Sequence, residues 1–289
     1  MFDRIATFDS MKQLLLFFFS FIFFGNQVNG QSSSHSEKVI SKAFTLGKTD
    51  EIRSAVLSET RILNIYLPQG YSADSATTYP VIYLLDGSAN EDFIHVSGLV
   101  QFFNLTEMMP KSIVVGIANV DRKRDFTFPT TVAKDKEDFP TTGKSANFIK
   151  FLSKEAQPYI EKNYKTNASK TLIGQSLGGL LATEILFKEP GLFNNYLIIS
   201  PSLWWDNESL LTQSSGLSKS FPGKKVKVYV AVGKEGKIME EDAKKLSEVL
   251  KDLNHAQLKV DFAFFPEATH ADVLHMALYK GFQLLNQKN

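Results

Sequence analysis

Short, almost wholly apolar runs recur along this chain between stretches with helical periodicity: Val81 to Leu85, Ile113 to Ala118, Tyr196 to Ile199 and Val226 to Val232. A strand with one wet face alternates polar and apolar residues, whereas these runs do not alternate. They have the form of strands buried on both faces, which is how parallel strands sit between layers of helices. Ser145 to Tyr164 carries Phe148, Phe151, Leu152, Ala156 and Ile160 close to one helical face, with Pro158 expected to kink it. A strand at Thr171 to Gly174 leads into a helix at Ser176 to Phe187 that ends near Pro190-Gly191. Ile238 to Leu253 reads as a helix, Leu258 to Phe265 as a strand, and His270 to Leu285 as a last helix. This alternation predicts an α/β fold, a mostly parallel central sheet with helices on both faces. Arg61 to Leu67 alternates as a strand, and the region from Arg53 to Leu67 is expected to add antiparallel strands at one edge.

With 289 residues, 43% of them apolar, the chain can bury one large core. Its 32 basic and 31 acidic residues leave no dense positive stripe, so nucleic acid is not an expected partner. The first 30 residues read as a signal peptide: Met11-Lys12 is a basic start, Leu14 to Phe24 an apolar run, and Val28-Asn29-Gly30 a site for cleavage after Gly30. Asp3 and Asp9 are foreign to such a leader, which makes Met11 a credible start of translation. The competing reading is an uncleaved anchor, but the run is shorter than the roughly 18 residues a spanning helix needs. The expectation is a secreted or periplasmic protein with no stable membrane insertion after cleavage. Residues 31–48 form a polar N-terminal segment, and 49–289 the domain. Cysteine is absent, which rules out a disulfide, a thiolate metal site and a catalytic thiol, and inclines the location toward a bacterial periplasm.

Gly174-Gln175-Ser176-Leu177-Gly178-Gly179 falls between a predicted strand and a predicted helix. A serine hydroxyl becomes a useful nucleophile when held on an exposed, strained turn beside a base, and glycines two residues either side let backbone approach there. Ser176 is the candidate nucleophile; a structural Gly-rich helix start is the alternative. The general base should be a histidine after a strand, which His270 is, directly beyond Leu258 to Phe265. His275 is its rival, while His35, His95 and His255 are less well placed. An acid between the two, after a strand, would fix the imidazole tautomer, and Glu235 follows Val226 to Val232; Glu240, Asp242 and Asp261 are alternatives, as is a bare dyad. The N–H groups of Leu177 and Gly87 are the candidate oxyanion donors, Gly87 being equally readable as a plain turn residue. No metal or cofactor is called for.

These pieces together resemble the Putative esterase family of α/β-hydrolases, which includes esterase D-like enzymes, feruloyl and acetyl-xylan esterases and siderophore trilactone esterases. The resemblance spans most of 50–285. It rests on Tyr83-Leu84-Leu85-Asp86-Gly87, on Val115-Gly116-Ile117 followed by Asp121 to Asp125 and Pro129, on the Ser176 motif, on Ser200-Pro201-Ser202-Leu203-Trp204-Trp205, and on His270. It implies an α/β-hydrolase fold and hydrolysis of a small-molecule or glycan-linked ester through an acyl-enzyme. Similarity to the siderophore-esterase branch is strongest around Arg122 to Asp125 and Trp204-Trp205, so these would lie near substrate. Trp204 and Trp205 could be flat walls for an aromatic acyl group or simply core packing. Arg122 and Arg124 could each bind an anionic substrate or pair with Asp121 and Asp125, and the expectation is one of each. An acyltransferase using the same serine, and a catalytically silent binding relative, are the competing functions.

Overall fold

In the computed structural model of the protein, residues 40–216 and 223–287 are described. The signal-peptide reading and the first half of the polar N-terminal segment, residues 31–39, lie outside them. The chain divides into two units, 1–43 and 44–289, and all that follows concerns the second.

Eight strands form one sheet in the order β1-β2-β4-β3-β5-β6-β7-β8. They are β1 (Lys48–Arg53), β2 (Thr60–Tyr66), β3 (Tyr79–Leu84), β4 (Ile113–Ile117), β5 (Thr166–Gln175), β6 (Asn195–Ile199), β7 (Val226–Gly233) and β8 (Leu258–Phe265). β1 and β2 are antiparallel, as expected of the opening region, and every pairing from β4 to β8 is parallel. The apolar runs are buried on both faces for a visible reason. Val81 and Tyr83 of β3 pack into one core while Ile82 and Leu84 pack into the other; Val228 and Val230 of β7 are likewise opposed to Tyr229 and Ala231.

One face is covered by α1 (Phe93–Leu105) and the last helix, α9 (Val273–Asn286). The other carries α4 (Ser145–Phe151), α5 (Gln157–Asn163), α6 (Leu177–Lys188) and α8 (Lys237–Asp252). Between α4 and α5 the helix widens into a π turn at Leu152–Ala156, just before Pro158. Proline has no N–H to continue the ladder, and the wide turn accommodates it where a kink was expected. Every residue of α6 from Leu177 to Phe187 is buried, so this helix is apolar all round. The polar segment 121–143 contains two short helices, α2 (Arg122–Phe126) and α3 (Ala133–Asp138). A single turn, α7 (Trp205–Glu208), follows β6, with Asp206, Asn207 and Glu208 all at positive φ.

The chain passes from β3 to β4 on one side of β3 and then crosses to β5 on the other. That reversal opens a crevice at the carboxyl ends of β3 and β5, the position where open α/β sheets bind ligands. Among the described residues no helix is long and apolar enough to cross a membrane.

Candidate active site

Ser176 stands in that crevice, between β5 and α6, with φ 59° and ψ −121°. A left-handed serine costs on the order of 1–2 kcal/mol, so its surroundings must hold it there. They do so through backbone hydrogen bonds: Ser176 N–H donates to the Ile199 carbonyl at 3.1 Å, and Ser202 N–H donates to the Ser176 carbonyl at 3.0 Å. The flanking glycines are required by contact. A Cβ on Gly174 would lie 2.3 Å from the Gly178 carbonyl oxygen, and one on Gly179 would lie 2.9 Å from Pro201 Cα.

Two neighbouring strand ends deliver the rest. Glu235 lies just past β7 and His270 just past β8, and His270 Nδ1 meets Glu235 Oε2 at 2.5 Å. Glu235 Oε1 accepts from Ser200 Oγ at 2.5 Å and from Gly233 N–H at 2.8 Å. Burial pushes the Glu235 carboxyl up, but the hydrogen bonds from His270, Ser200 and Gly233 outweigh it and hold the group below the usual carboxylate range. Its side chain is 2% exposed against 47% for His270, so the acid is enclosed and the imidazole reaches outward. With Nδ1–H given to the carboxylate, Nε2 keeps its lone pair and can accept a proton. The loop carrying His270 is tied to the turn of Ser176 by Gln175 Nε2, which donates to the His270 carbonyl at 2.6 Å. Ser176 Oγ itself turns toward Ser202 Oγ, 3.3 Å away. Hydrogen bonds to a nucleophile are often loose before substrate arrives.

The rival histidines and acids are engaged elsewhere or held on other elements. His275 Nδ1 and His95 Nε2 share a hydrogen bond of 2.8 Å, and His255 Nδ1 accepts from Gln257 N–H at 3.2 Å. Glu240 accepts from the N–H groups of Glu235 and Gly236 at 3.0 and 2.9 Å, shaping the turn that presents the acid. Asp242 is buried on α8, and Asp261 lies within β8.

Several sequence-based assignments need correction. Gly87 N–H donates to the Ile117 carbonyl at 3.0 Å, so it is committed to the sheet rather than offered to an oxyanion. Gly87 is needed where two chains cross closely, since a Cβ there would fall 2.3 Å from Gly116 Cα. Leu177 N–H, at the first turn of α6, bonds no acceptor among the described residues. Trp205 is fully buried and donates through Nε1 to the Phe128 carbonyl at 3.0 Å, which makes it core and not a substrate wall. Trp204 is half-buried against Phe139 of segment 121–143, with ring centroids 6.0 Å apart.

Both arginines are paired within the protein, rather than one being left for a ligand. Arg124 bonds Glu59 at 2.6 Å and Asp125 at 2.7 Å, in a cluster with Arg61, which is buried and also pairs with both acids. Arg122 makes a bidentate pair with Asp86.

Sequence reasoning missed Ser200, Ser202, Asp86 and Gln175. The first two lie in the very run that was singled out for its tryptophans.

A family model described as Putative esterase matches residues 54–271. Ferri-bacillibactin esterase BesA of Bacillus subtilis is 28% identical over 268 residues, covering 84% of this chain and 91% of the relative. Among solved structures, an IroE-like serine hydrolase from Shewanella oneidensis superposes with a TM-score of 0.75 at 32% identity, covering 83% of this chain and 80% of that one. The BES protein of Bacillus cereus gives a TM-score of 0.76 at 30% identity, covering 87% of this chain and all of its own (100%). With its sheet order, its strained serine between β5 and α6 and the match across most of its length, the chain belongs to the Putative esterase family, on an α/β-hydrolase fold.

Proposed function

We propose that this protein hydrolyses a small-molecule carboxylic ester through an acyl-enzyme on Ser176, with His270 as general base and acid and Glu235 as its orienting partner. The observation that carries the reading is the convergence of three strand ends: a left-handed serine after β5, and a histidine after β8 whose Nδ1 is held 2.5 Å from an enclosed carboxylate after β7. The imidazole takes the Ser176 proton as Oγ attacks the ester carbonyl, then returns it to the leaving alcohol. Water repeats the sequence in the second half-reaction. Glu235 stays ionised throughout, because its pKa is held low and the imidazolium it faces lowers it further. Leu177 N–H, unengaged beside the nucleophile, supplies one oxyanion donor.

The relatives support a substrate class without fixing it. A ferri-bacillibactin esterase matched over nearly its full length favours a siderophore-type ester, ahead of a carbohydrate-linked acyl ester. The apolar run from Leu14 to Phe24 supports export by a cleaved signal peptide and action outside the cytoplasm. The test is a panel of short-acyl nitrophenyl esters, a feruloyl ester, acetylated xylan and a catecholate trilactone. The reading expects the trilactone to give the highest kcat/KM; hydrolysis confined to acetylated xylan would overturn the substrate assignment.

A further inference from the structure

Three adjacent strands, β3, β5 and β6, are each followed within two residues by a non-glycine residue forced into the left-handed region: Asp86 at φ 54°, Ser176 at 59° and Ser200 at 43°. Such residues persist only when their surroundings over-determine them, and they gather where geometry matters for function. Ser176 presents the nucleophile, and Asp86 holds Arg122. The strain at Ser200 calls for its own account.

Ser200 has no exposed surface, and its N–H is fixed by the Ala231 carbonyl of β7 at 2.7 Å. From there its hydroxyl reaches across to Glu235 Oε1, on which Gly233 N–H also converges. One carboxylate oxygen thus takes two donors from the protein and the other is left to His270 Nδ1. A carboxylate held by Gly233 alone could rotate about its last torsion and share either oxygen with the imidazole.

We propose that Ser200 is a positioning residue of the triad: its left-handed backbone aims the hydroxyl at Glu235 Oε1, which locks the carboxylate and presents Oε2 to His270. The proposal rests on the Ser176, His270 and Glu235 reading. It distinguishes Ser200 from Ser202, two residues on, whose hydroxyl faces the nucleophile instead.

The locking has an electrostatic side. Hydrogen bonds to an ionised carboxylate spread its charge, and Ser200 is one of the groups that hold Glu235 low against burial. Without that hydroxyl, more charge stays on Oε2, which then grips the imidazolium more tightly. The acid limb of activity should move to higher pH. Among the described residues His270 is the only titratable side chain hydrogen-bonded to the Glu235 carboxylate, Glu240 bonding the Glu235 backbone N–H instead, so the limb reports this contact.

The experiment is a kcat/KM profile against pH on a short-acyl nitrophenyl ester for wild type, Ser200→Gly, Ser200→Ala and Glu235→Gln, each with its unfolding midpoint. Glycine takes a positive φ without strain, and alanine keeps the Cβ and its packing. Both serine variants should stay folded and lose about tenfold in kcat with KM nearly unchanged, the acid limb rising by roughly half a pH unit. Loss of activity in Glu235→Gln, with unshifted limbs and unchanged kcat in both Ser200 variants, would overturn the Ser200 role alone. Full activity in Glu235→Gln would overturn it together with the triad it rests on.

Discussion

Arg122 grips Asp86 with two hydrogen bonds, Nε to Oδ1 at 2.6 Å and Nη2 to Oδ2 at 2.9 Å, and its Nη2 also touches the Gln175 carbonyl at 3.3 Å. One guanidinium therefore ties the loop after β3 to the residue that precedes Ser176. Asn119 Nδ2 adds a third bond to Asp86 at 2.7 Å, so the carboxylate is well supplied with donors. Removing the arginine leaves Asp86 beside Glu91 and Asp92 without its cation. We predict that Arg122→Ala lowers unfolding free energy by about 1–3 kcal/mol and also lowers kcat/KM. Arg122→Lys should recover only part of either loss, because an ammonium keeps the charge without the planar fork. Urea unfolding and hydrolysis rates measured on the same three proteins check this.

Asp92 offers a pH test with a definite sign. Burial, together with the nearby charges of Asp86 and Glu91, pushes its carboxyl up to about 6 despite Arg122. In the unfolded chain it titrates near its ordinary value, so the ionised form destabilises the folded state. That penalty is complete above pH 6 and vanishes as the pH falls below the ordinary aspartate range. The Asp92 side chain makes no capping bond to α1, so asparagine loses nothing there. Asp92→Asn should be more stable than wild type by about 1–2 kcal/mol at pH 8, a figure discounted for partial exposure, with the gain gone by about pH 3. A constant gain across that range would show that packing, and not charge, sets the difference.

The two tryptophans should separate cleanly. Trp205→Ala empties a fully buried site and removes the bond to Phe128, at a cost of about 3–5 kcal/mol in urea unfolding. Trp204→Ala should change stability by about 1 kcal/mol or less. It should instead reduce kcat/KM for feruloyl esters more than for acetyl esters, which a two-substrate comparison measures.

Much of this was legible in the sequence because it depends on local pattern. Apolar runs such as Val226 to Val232 announce strands buried on both faces, and β8 at Leu258–Phe265 coincides with the run read as a strand. The places of Ser176 and His270, shortly after β5 and β8, are legible for a similar reason, since each is read from a strand end. What escaped is set by contacts distant in the chain. Nothing near Gly87 reveals that its N–H turns to Ile117, and nothing near Arg124 reveals that Glu59, 65 residues away, closes a buried ion cluster around it. In the run from Ser200 to Trp205 the bulky tryptophans drew the functional reading. Instead, the small serines make the contacts, Ser200 with Glu235 and Ser202 with Ser176.

The central claim is that Ser176 Oγ is the nucleophile. Incubation of wild type and Ser176→Ala with a fluorophosphonate probe, followed by intact-mass analysis and assay on a nitrophenyl ester, tests it most directly. The account predicts one adduct on wild type, lost together with ester hydrolysis in Ser176→Ala. An unlabelled wild type that still hydrolyses the ester, or a Ser176→Ala variant that labels and turns over equally well, would contradict it.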